Sequence, residues 1–182
     1  MATSVFGGGI GLLNLTALPA DTYSGYYVGP RQGIFNGGPV TDFTCVDFFV
    51  TTYVPGSFLV EEKSMSELST SDRDNTIRSA WLLQQAVSNP GEIGPIQFAI
   101  WNLWDPAAPD PDTTSSWVAA ALAINPGAFD ASSLHLMVPT ASLNQRFFEG
   151  SLGSPVPEPA TLSLIALGLI AMAYLSRRAM RE

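Results

Sequence analysis

Cys45 and Gln97 are the two residues whose types could perform chemistry together. A cysteine thiolate can attack the side-chain carboxamide of a glutamine, expel ammonia and leave an internal thioester. A thioester persists only where water is excluded, and five aromatic residues near the two in the sequence could form a dry pocket: Phe43, Phe48, Phe98, Trp101 and Trp104. Two alternatives stay open, namely a small buried hydrophobic cysteine and a lipidated or otherwise modified one.

The segment Gln97-Phe-Ala-Ile-Trp101 carries a resemblance to a known family. It resembles the Gln-x-Ala-(Val/Ile)-Trp motif of bacterial thioester domains, which are adhesin modules that capture nucleophiles on surfaces. In that family the cysteine precedes the glutamine and sits among aromatic residues, as Cys45 does. This chain has Ile96 where the family usually has threonine. The resemblance implies a Cys45–Gln97 crosslink that serves covalent attachment.

Other chemistry has less support in the sequence. His135 and Cys45 could form a Cys/His hydrolase pair, but no nucleophile turn accompanies them, and the alternation of the segment favours a solvent-exposed histidine. One cysteine and one histidine cannot form a His/Cys zinc site. The aspartates could offer oxygen ligands to Ca²⁺, but they lack EF-hand spacing and are typical of solvated loops: Asp72, Asp74, Asp105, Asp110 and Asp112. We expect no catalytic residues, no metal site and no cofactor, so the chain is predicted not to be an enzyme.

The charge distribution excludes one partner class and points to another. Eight basic residues against sixteen acidic ones give a net charge of −8, which leaves no electrostatic footprint for nucleic acid. Three of the basic residues lie among the last six positions: Arg177, Arg178 and Arg181. An acidic body separated from a basic end by an apolar run indicates membrane topology.

The C-terminal residues predict a membrane anchor. Residues 160–175 contain no charged side chain and would form a helix of about 24 Å, close to the hydrocarbon thickness of a bilayer. We predict a Pro-rich spacer over 151–159, a transmembrane helix over 160–176 and a basic cytoplasmic tip over 177–182, because arginines are held on the cytoplasmic side. A buried core helix is the alternative.

The same tail resembles a sorting signal. Pro157, Glu158 and Pro159, followed by the apolar run and the basic end, resemble the PEP-CTERM signal of exported proteins from Gram-negative bacteria that make exopolysaccharide. The resemblance implies recognition by an exosortase, a membrane protease. It further implies a protein that is anchored in the inner membrane before processing and then reaches the cell surface or the extracellular matrix.

The N-terminal residues are apolar, rich in glycine and end in small residues before Asp21. This pattern is typical of a secretory signal peptide over residues 1–20. The basic residues that usually precede such a segment are absent, so we expect a truncated or unusual signal. An N-terminal strand is the alternative.

Residues 21–150 are predicted to form one extracytoplasmic α+β domain with a helical middle section. Strand-forming residues occupy 22–28, 33–35, 40–54 and 57–61, and they return at 133–138 and 147–148. Helical spacing occurs over 74–87, 95–104 and 117–124, each segment ending before a proline.

The sequence therefore favours an exported, non-enzymatic surface or matrix protein. The alternative is a covalent adhesin that uses a Cys45–Gln97 thioester. An exopolysaccharide or another surface ligand is the expected partner, and three tyrosines could stack on sugars if they are exposed: Tyr23, Tyr26 and Tyr27.

Overall fold

The computed structural model describes residues 9–129 and 133–149 of the 182-residue chain. Eight strands and three helices follow one another in these ranges: β1 (Ile10–Ala17), β2 (Asp21–Tyr23), β3 (Tyr26–Val28), β4 (Arg31–Phe35), β5 (Val40–Cys45), β6 (Gly56–Ser64), α1 (Thr70–Ser88), α2 (Ile93–Trp104), α3 (Thr114–Ala123), β7 (His135–Pro139) and β8 (Phe147–Glu149). Short 3₁₀ turns lie at Met65–Glu67, Pro90–Glu92 and Pro126–Ala128. The predicted α+β class, rich in β-structure with a helical middle, is confirmed.

Six of the strands close into an antiparallel barrel in the order β1-β4-β5-β8-β7-β6. Strands β2 and β3 stay outside the barrel and pair only with each other, as a hairpin. On β5, Cys45 lies opposite Phe147 of β8, and Phe43 lies opposite Arg31 of β4. Closure leaves no unpaired edge in the barrel, which is one way that small β-proteins avoid edge-to-edge association.

Both faces of the central strands are buried, because the barrel has a filled interior and a layer of helices outside. Side chains alternate between the two faces of a strand. Phe43, Cys45, Phe147 and Met137 accordingly belong to the interior cluster. Leu136 and Phe148 belong to a second cluster, formed with the helices. The site described below lies where α2 closes over the end of β5.

The structure differs from the predicted boundaries where side-chain hydrogen bonds compete with the strand and helix patterns. Helix α1 begins at Thr70, not near Asp74, because Ser69 caps it by accepting from the backbone N–H of Asp72. The strand predicted over 40–54 ends at Cys45. There the carboxylate of Asp47 accepts from the backbone N–H of Arg146 at 2.7 Å.

The N-terminal segment takes part in the fold. Ile10–Ala17 forms β1, pairs with both β4 and β6, and places Leu13 and Leu15 in the interior cluster. The proposed signal peptide over residues 1–20 stays a prediction, but its cleavage after Ala20 would remove a complete barrel strand. The predicted start of the domain at residue 21 therefore leaves out β1.

Contacts along the backbone divide the chain into two units, Met1–Leu152 and Gly153–Glu182. Within the ranges 9–129 and 133–149, no helix combines the length and the apolar character that crossing a membrane requires. The predicted spacer over 151–159, the transmembrane helix over 160–176 and the basic tip over 177–182 lie outside the described residues.

Candidate thioester site

The structure brings Cys45 and Gln97 together in the interior of the body. Cys45 is the last residue of β5, and its side chain is fully buried in the barrel cluster. Gln97 lies in the second turn of α2, a helix in which nine residues are buried, and Gln97 itself is only 1% exposed. A buried glutamine must have its polar atoms satisfied, and the partners of this one define the site.

Two backbone groups hold the carboxamide of Gln97. Its Nε2 donates to the backbone carbonyl of Cys45 at 3.0 Å. Its Oε1 accepts from the backbone N–H of Gly29 at 3.3 Å. Gly29 has a φ of +89°, a conformation that residues with a Cβ rarely adopt, so a glycine is required for this N–H to point at Gln97.

The sulfur of Cys45 has its own donor. The indole Nε1–H of Trp101 donates to Cys45 Sγ at 3.3 Å. Because residues four apart share one face of a helix, the spacing from Gln97 to Trp101 directs both side chains at the end of β5. This shared face is the physical reason for the Gln-x-x-x-Trp spacing, and the indole N–H is suited to stabilise a thiolate.

Aromatic rings surround the site, as the sequence predicts for Phe48, Phe98 and Trp101. The centroids of Phe98 and Trp101 lie 4.8 Å apart, and those of Phe48 and Trp101 lie 5.1 Å apart. Tyr26 covers this cluster from the hairpin, with its ring 5.0 Å from Phe48 and 5.8 Å from Phe98. Trp104 packs instead in the helical cluster, with Arg146 over its ring. Together with the barrel, these rings leave Cys45 and Gln97 at most 1% exposed to solvent.

The β2–β3 hairpin is the outer cover of the pocket. It supplies Tyr26, leads into Gly29, and is fixed at one end by a hydrogen bond from the hydroxyl of Tyr23 to the carboxylate of Asp112. That hydrogen bond, with burial and the charges of Asp112 and Glu92, raises the pKa of Tyr23 to about 12. Tyr26 and Tyr27 are about half exposed, as stacking on sugars requires, and Tyr26 also contacts the rings of the site.

Cys45 Sγ, Gln97 Oε1 and Gln97 Nε2 each have a hydrogen-bond partner that suits the formation of a thioester. A thiolate at Cys45 would be stabilised by Trp101, and negative charge developing on Gln97 Oε1 would meet the N–H of Gly29. The leaving nitrogen is held by a backbone carbonyl. Among these groups, sequence reasoning missed Gly29, because nothing in Gly29-Pro30 indicates more than a turn. The roles of Cys45 and Gln97 remain predictions that the geometry permits.

His135 lies elsewhere, and one expectation about it is wrong. Its side chain is 17% exposed, and its Nδ1 lies 3.2 Å from Glu62 Oε1, so it is not a solvated surface residue. It shares the interior face of β7 with Met137, because residues two positions apart on a strand point to the same side. The alternation of the sequence separated the two faces correctly, but it could not show that the face with His135 and Met137 lines the interior of a closed barrel.

The aspartates singled out in the sequence occupy separate loops and helix termini. Asp105 accepts from the backbone N–H of Ala107, and Asp112 binds Tyr23. Asp74 lies 3.9 Å from Arg73 on α1. In the part of the chain that the structure describes, no group of three or more His, Cys, Asp or Glu side chains could hold a metal ion.

Comparison with known proteins gives two similarities. Residues 155–178 match the model of the PEP-CTERM protein-sorting motif, so the sorting signal predicted from Pro157, Glu158 and Pro159 is confirmed. Among solved structures, the chain resembles the N-terminal thioester domain of fibronectin-binding protein SfbI from Streptococcus pyogenes. This resemblance is weak, with a TM-score of 0.44 and 11% identity over 78% of this chain and 92% of that one. No curated protein matches the chain.

Proposed function

We propose that the chain is an exported protein whose body forms a thioester between Cys45 and Gln97 and uses it to attach covalently to an amine on a surface partner. One observation carries the second half of this proposal. The carboxamide of Gln97 is held by hydrogen bonds against the backbone of Cys45, in a buried pocket where the cysteine sulfur receives an indole N–H.

Export rests on the PEP-CTERM motif at residues 155–178. In this proposal an exosortase recognises Pro157, Glu158 and Pro159 while the apolar run over 160–176 is held in the inner membrane. The arginines at 177, 178 and 181 stay on the cytoplasmic side, which leaves the body outside that membrane. Processing then releases the body to the cell surface or the extracellular matrix of a Gram-negative bacterium.

The chemistry proceeds in two balanced steps. First, the sulfur of Cys45 forms a bond to Gln97 Cδ while the C–N bond breaks, and ammonia leaves with the proton that the thiol has lost. Second, a primary amine of the partner attacks the same carbon, the C–S bond breaks, and the thiol of Cys45 is regenerated. The product is an amide between Gln97 and the partner. Each site reacts once without turnover, so the protein is not an enzyme.

The burial of the site explains how such a reactive group would persist. Cys45 and Gln97 are at most 1% exposed, so hydrolysis is suppressed until the cover opens. The β2–β3 hairpin is the cover that lies outside the barrel, and Tyr23 and Tyr26 pack on Phe98 from it. An exopolysaccharide with free amino groups and a surface protein with accessible lysines both supply the required nucleophile.

A second candidate function has its own observation. Cys45 is fully buried in an apolar cluster, which is also how a purely structural cysteine packs. In that case the body is a non-enzymatic surface or matrix protein that binds its partner without a covalent bond. The two candidates share the sorting signal and differ only at the Cys45 site.

Capture of a labelled amine distinguishes them. The full chain is incubated with a fluorescent alkylamine and separated on a denaturing gel. We expect one label per chain, located on Gln97 by peptide mapping, and no label with Cys45→Ala or Gln97→Ala. A matched control is Gln145→Ala, because Gln145 is a second buried glutamine whose Nε2 donates to a backbone carbonyl. If the chain takes no label while its circular dichroism stays native, Cys45 is structural and the second candidate function is supported.

Topology is tested separately. A reporter that is active only outside the cytoplasm is fused after residue 154 or after Arg181. The proposal expects activity from the first fusion and none from the second. Activity from the fusion after Arg181 would overturn the orientation.

A further inference from the structure

Arg31 is a buried cation that the chemistry described so far does not use. Its side chain is 7% exposed, and its Nη1 is buried without a hydrogen-bond partner among the described residues. No carboxylate in the described part of the chain forms an ion pair with it. A buried charge without a counter-charge is strongly unfavourable, so its presence calls for a specific reason.

The register of the barrel places Arg31 beside Cys45. Arg31 of β4 lies directly opposite Phe43 of β5, and Cys45 is two residues further along the same face. Such diagonal neighbours have Cα atoms about 7–8 Å apart, within the reach of a long side chain.

The direction of the side chain agrees with this placement. The guanidinium carbon of Arg31 lies 5.9 Å from the centroid of the Phe147 ring. Phe147 belongs to β8 and is the residue opposite Cys45, and β5 is the strand between β4 and β8. The guanidinium therefore reaches across the strand that carries Cys45. The face of Phe147 offers it a cation–π contact, which offsets only part of the desolvation.

We propose that Arg31 is the charge-stabilising residue of the Cys45 site. This inference rests on the proposed thioester and names the group that makes it reactive. The missing counter-charge appears during the reaction, as the thiolate of Cys45. In thioester formation that thiolate is the nucleophile, and in attack by an amine it is the leaving group. Arg31 stabilises it in both directions and transfers no proton itself.

The test measures both rates in the full chain by intact mass. The first is the loss of ammonia after refolding, and the second is the addition of methylamine to the finished thioester. Arg31→Met should slow both by roughly 10²-fold, the effect typical of removing one group that stabilises developing charge. Arg31→Lys, which keeps the positive charge, should restore most of each rate.

Arg78→Met is the matched control, because Arg78 on α1 also has a buried, unpartnered guanidinium nitrogen. It should leave both rates unchanged. If Arg31→Met does not fold, Arg31→Gln replaces it and removes the charge while keeping hydrogen-bond donors. A folded, uncharged variant with wild-type rates overturns the role of Arg31 alone. A wild-type chain that loses no ammonia overturns the thioester, and this inference with it.

Discussion

A chain truncated to begin at Asp21 lacks β1, and we expect it to lose the cooperative fold of the body. Leu13 and Leu15 are at most 1% exposed, and burial of two leucine side chains contributes about 3–6 kcal/mol. The backbone of β1 is paired on both sides, with β4 and with β6. About half a dozen ladder hydrogen bonds at ~1 kcal/mol each add a similar amount. The sum is comparable with the whole stability of a typical domain, about 5–15 kcal/mol.

The assay compares residues 1–154 with residues 21–154 by thermal and urea unfolding. We expect a cooperative transition for the longer chain and none for the shorter one. Two adjacent leucines give a matched pair in the longer chain. Leu13→Ala, in the interior, should reduce the free energy of unfolding by about 2–5 kcal/mol. Leu12→Ala, at a position that is 43% exposed, should change it by less than about 0.5 kcal/mol.

A cooperative transition of residues 21–154 at the melting temperature of the longer chain would refute this reasoning. That outcome would also remove the structural objection to cleavage after Ala20. If the prediction holds, N-terminal sequencing of the exported protein should find residues 10–17 still attached to the folded body.

Three further predictions follow from single contacts. Trp101→Phe removes the indole N–H at the thiol while keeping an aromatic ring, so ammonia loss measured by intact mass should slow roughly tenfold or more with the fold retained. The hydrogen bond from the Tyr23 hydroxyl to Asp112 should stabilise the fold fully below pH 10.0, and this stabilisation should be lost as the pH rises to about 12. Absorbance at 295 nm should show a late phenolate transition that Tyr23→Phe abolishes. Burial and the charge of Glu62 raise the pKa of Glu149 above 4.5, so the ionised carboxylate destabilises the fold at neutral pH. Glu149→Gln should therefore raise the melting temperature at neutral pH, and the difference should vanish below pH 4.5, where the carboxyl group is protonated in both states.

The sequence predicted the fold class and most of the elements, because these depend on local patterns. A short apolar run after Pro55-Gly56 marked β6, alternating apolar residues marked β7, and proline or Asn-Pro-Gly segments marked the helix ends. Closure of the barrel could not be predicted, because pairing of β1 with β6 depends on contacts between residues 41 to 51 positions apart. The composition of the apolar N-terminal segment suits a signal peptide as well as a buried strand, so composition alone does not distinguish the two.

At the site, residue chemistry singled out Cys45 and Gln97, and the structure brings them together. The sequence also named Trp101, but it did not predict the roles of Gly29 and Arg31. Gly29 acts through a backbone N–H, which any residue has, and its role depends on a positive φ. In the sequence, Arg31 is indistinguishable from an ordinary polar residue of a strand. Only the register shows that its side chain lies on the interior face of the barrel.

The mass of the purified full chain, measured intact before and after methylamine treatment, tests the central claim most directly. We expect a chain lighter than its sequence by one ammonia, with no free thiol. Methylamine should then add once at Gln97 and expose the thiol of Cys45. Cys45→Ala should show the unaltered mass throughout. A wild-type chain with the full sequence mass, a free thiol at Cys45 and no methylamine adduct would contradict the account.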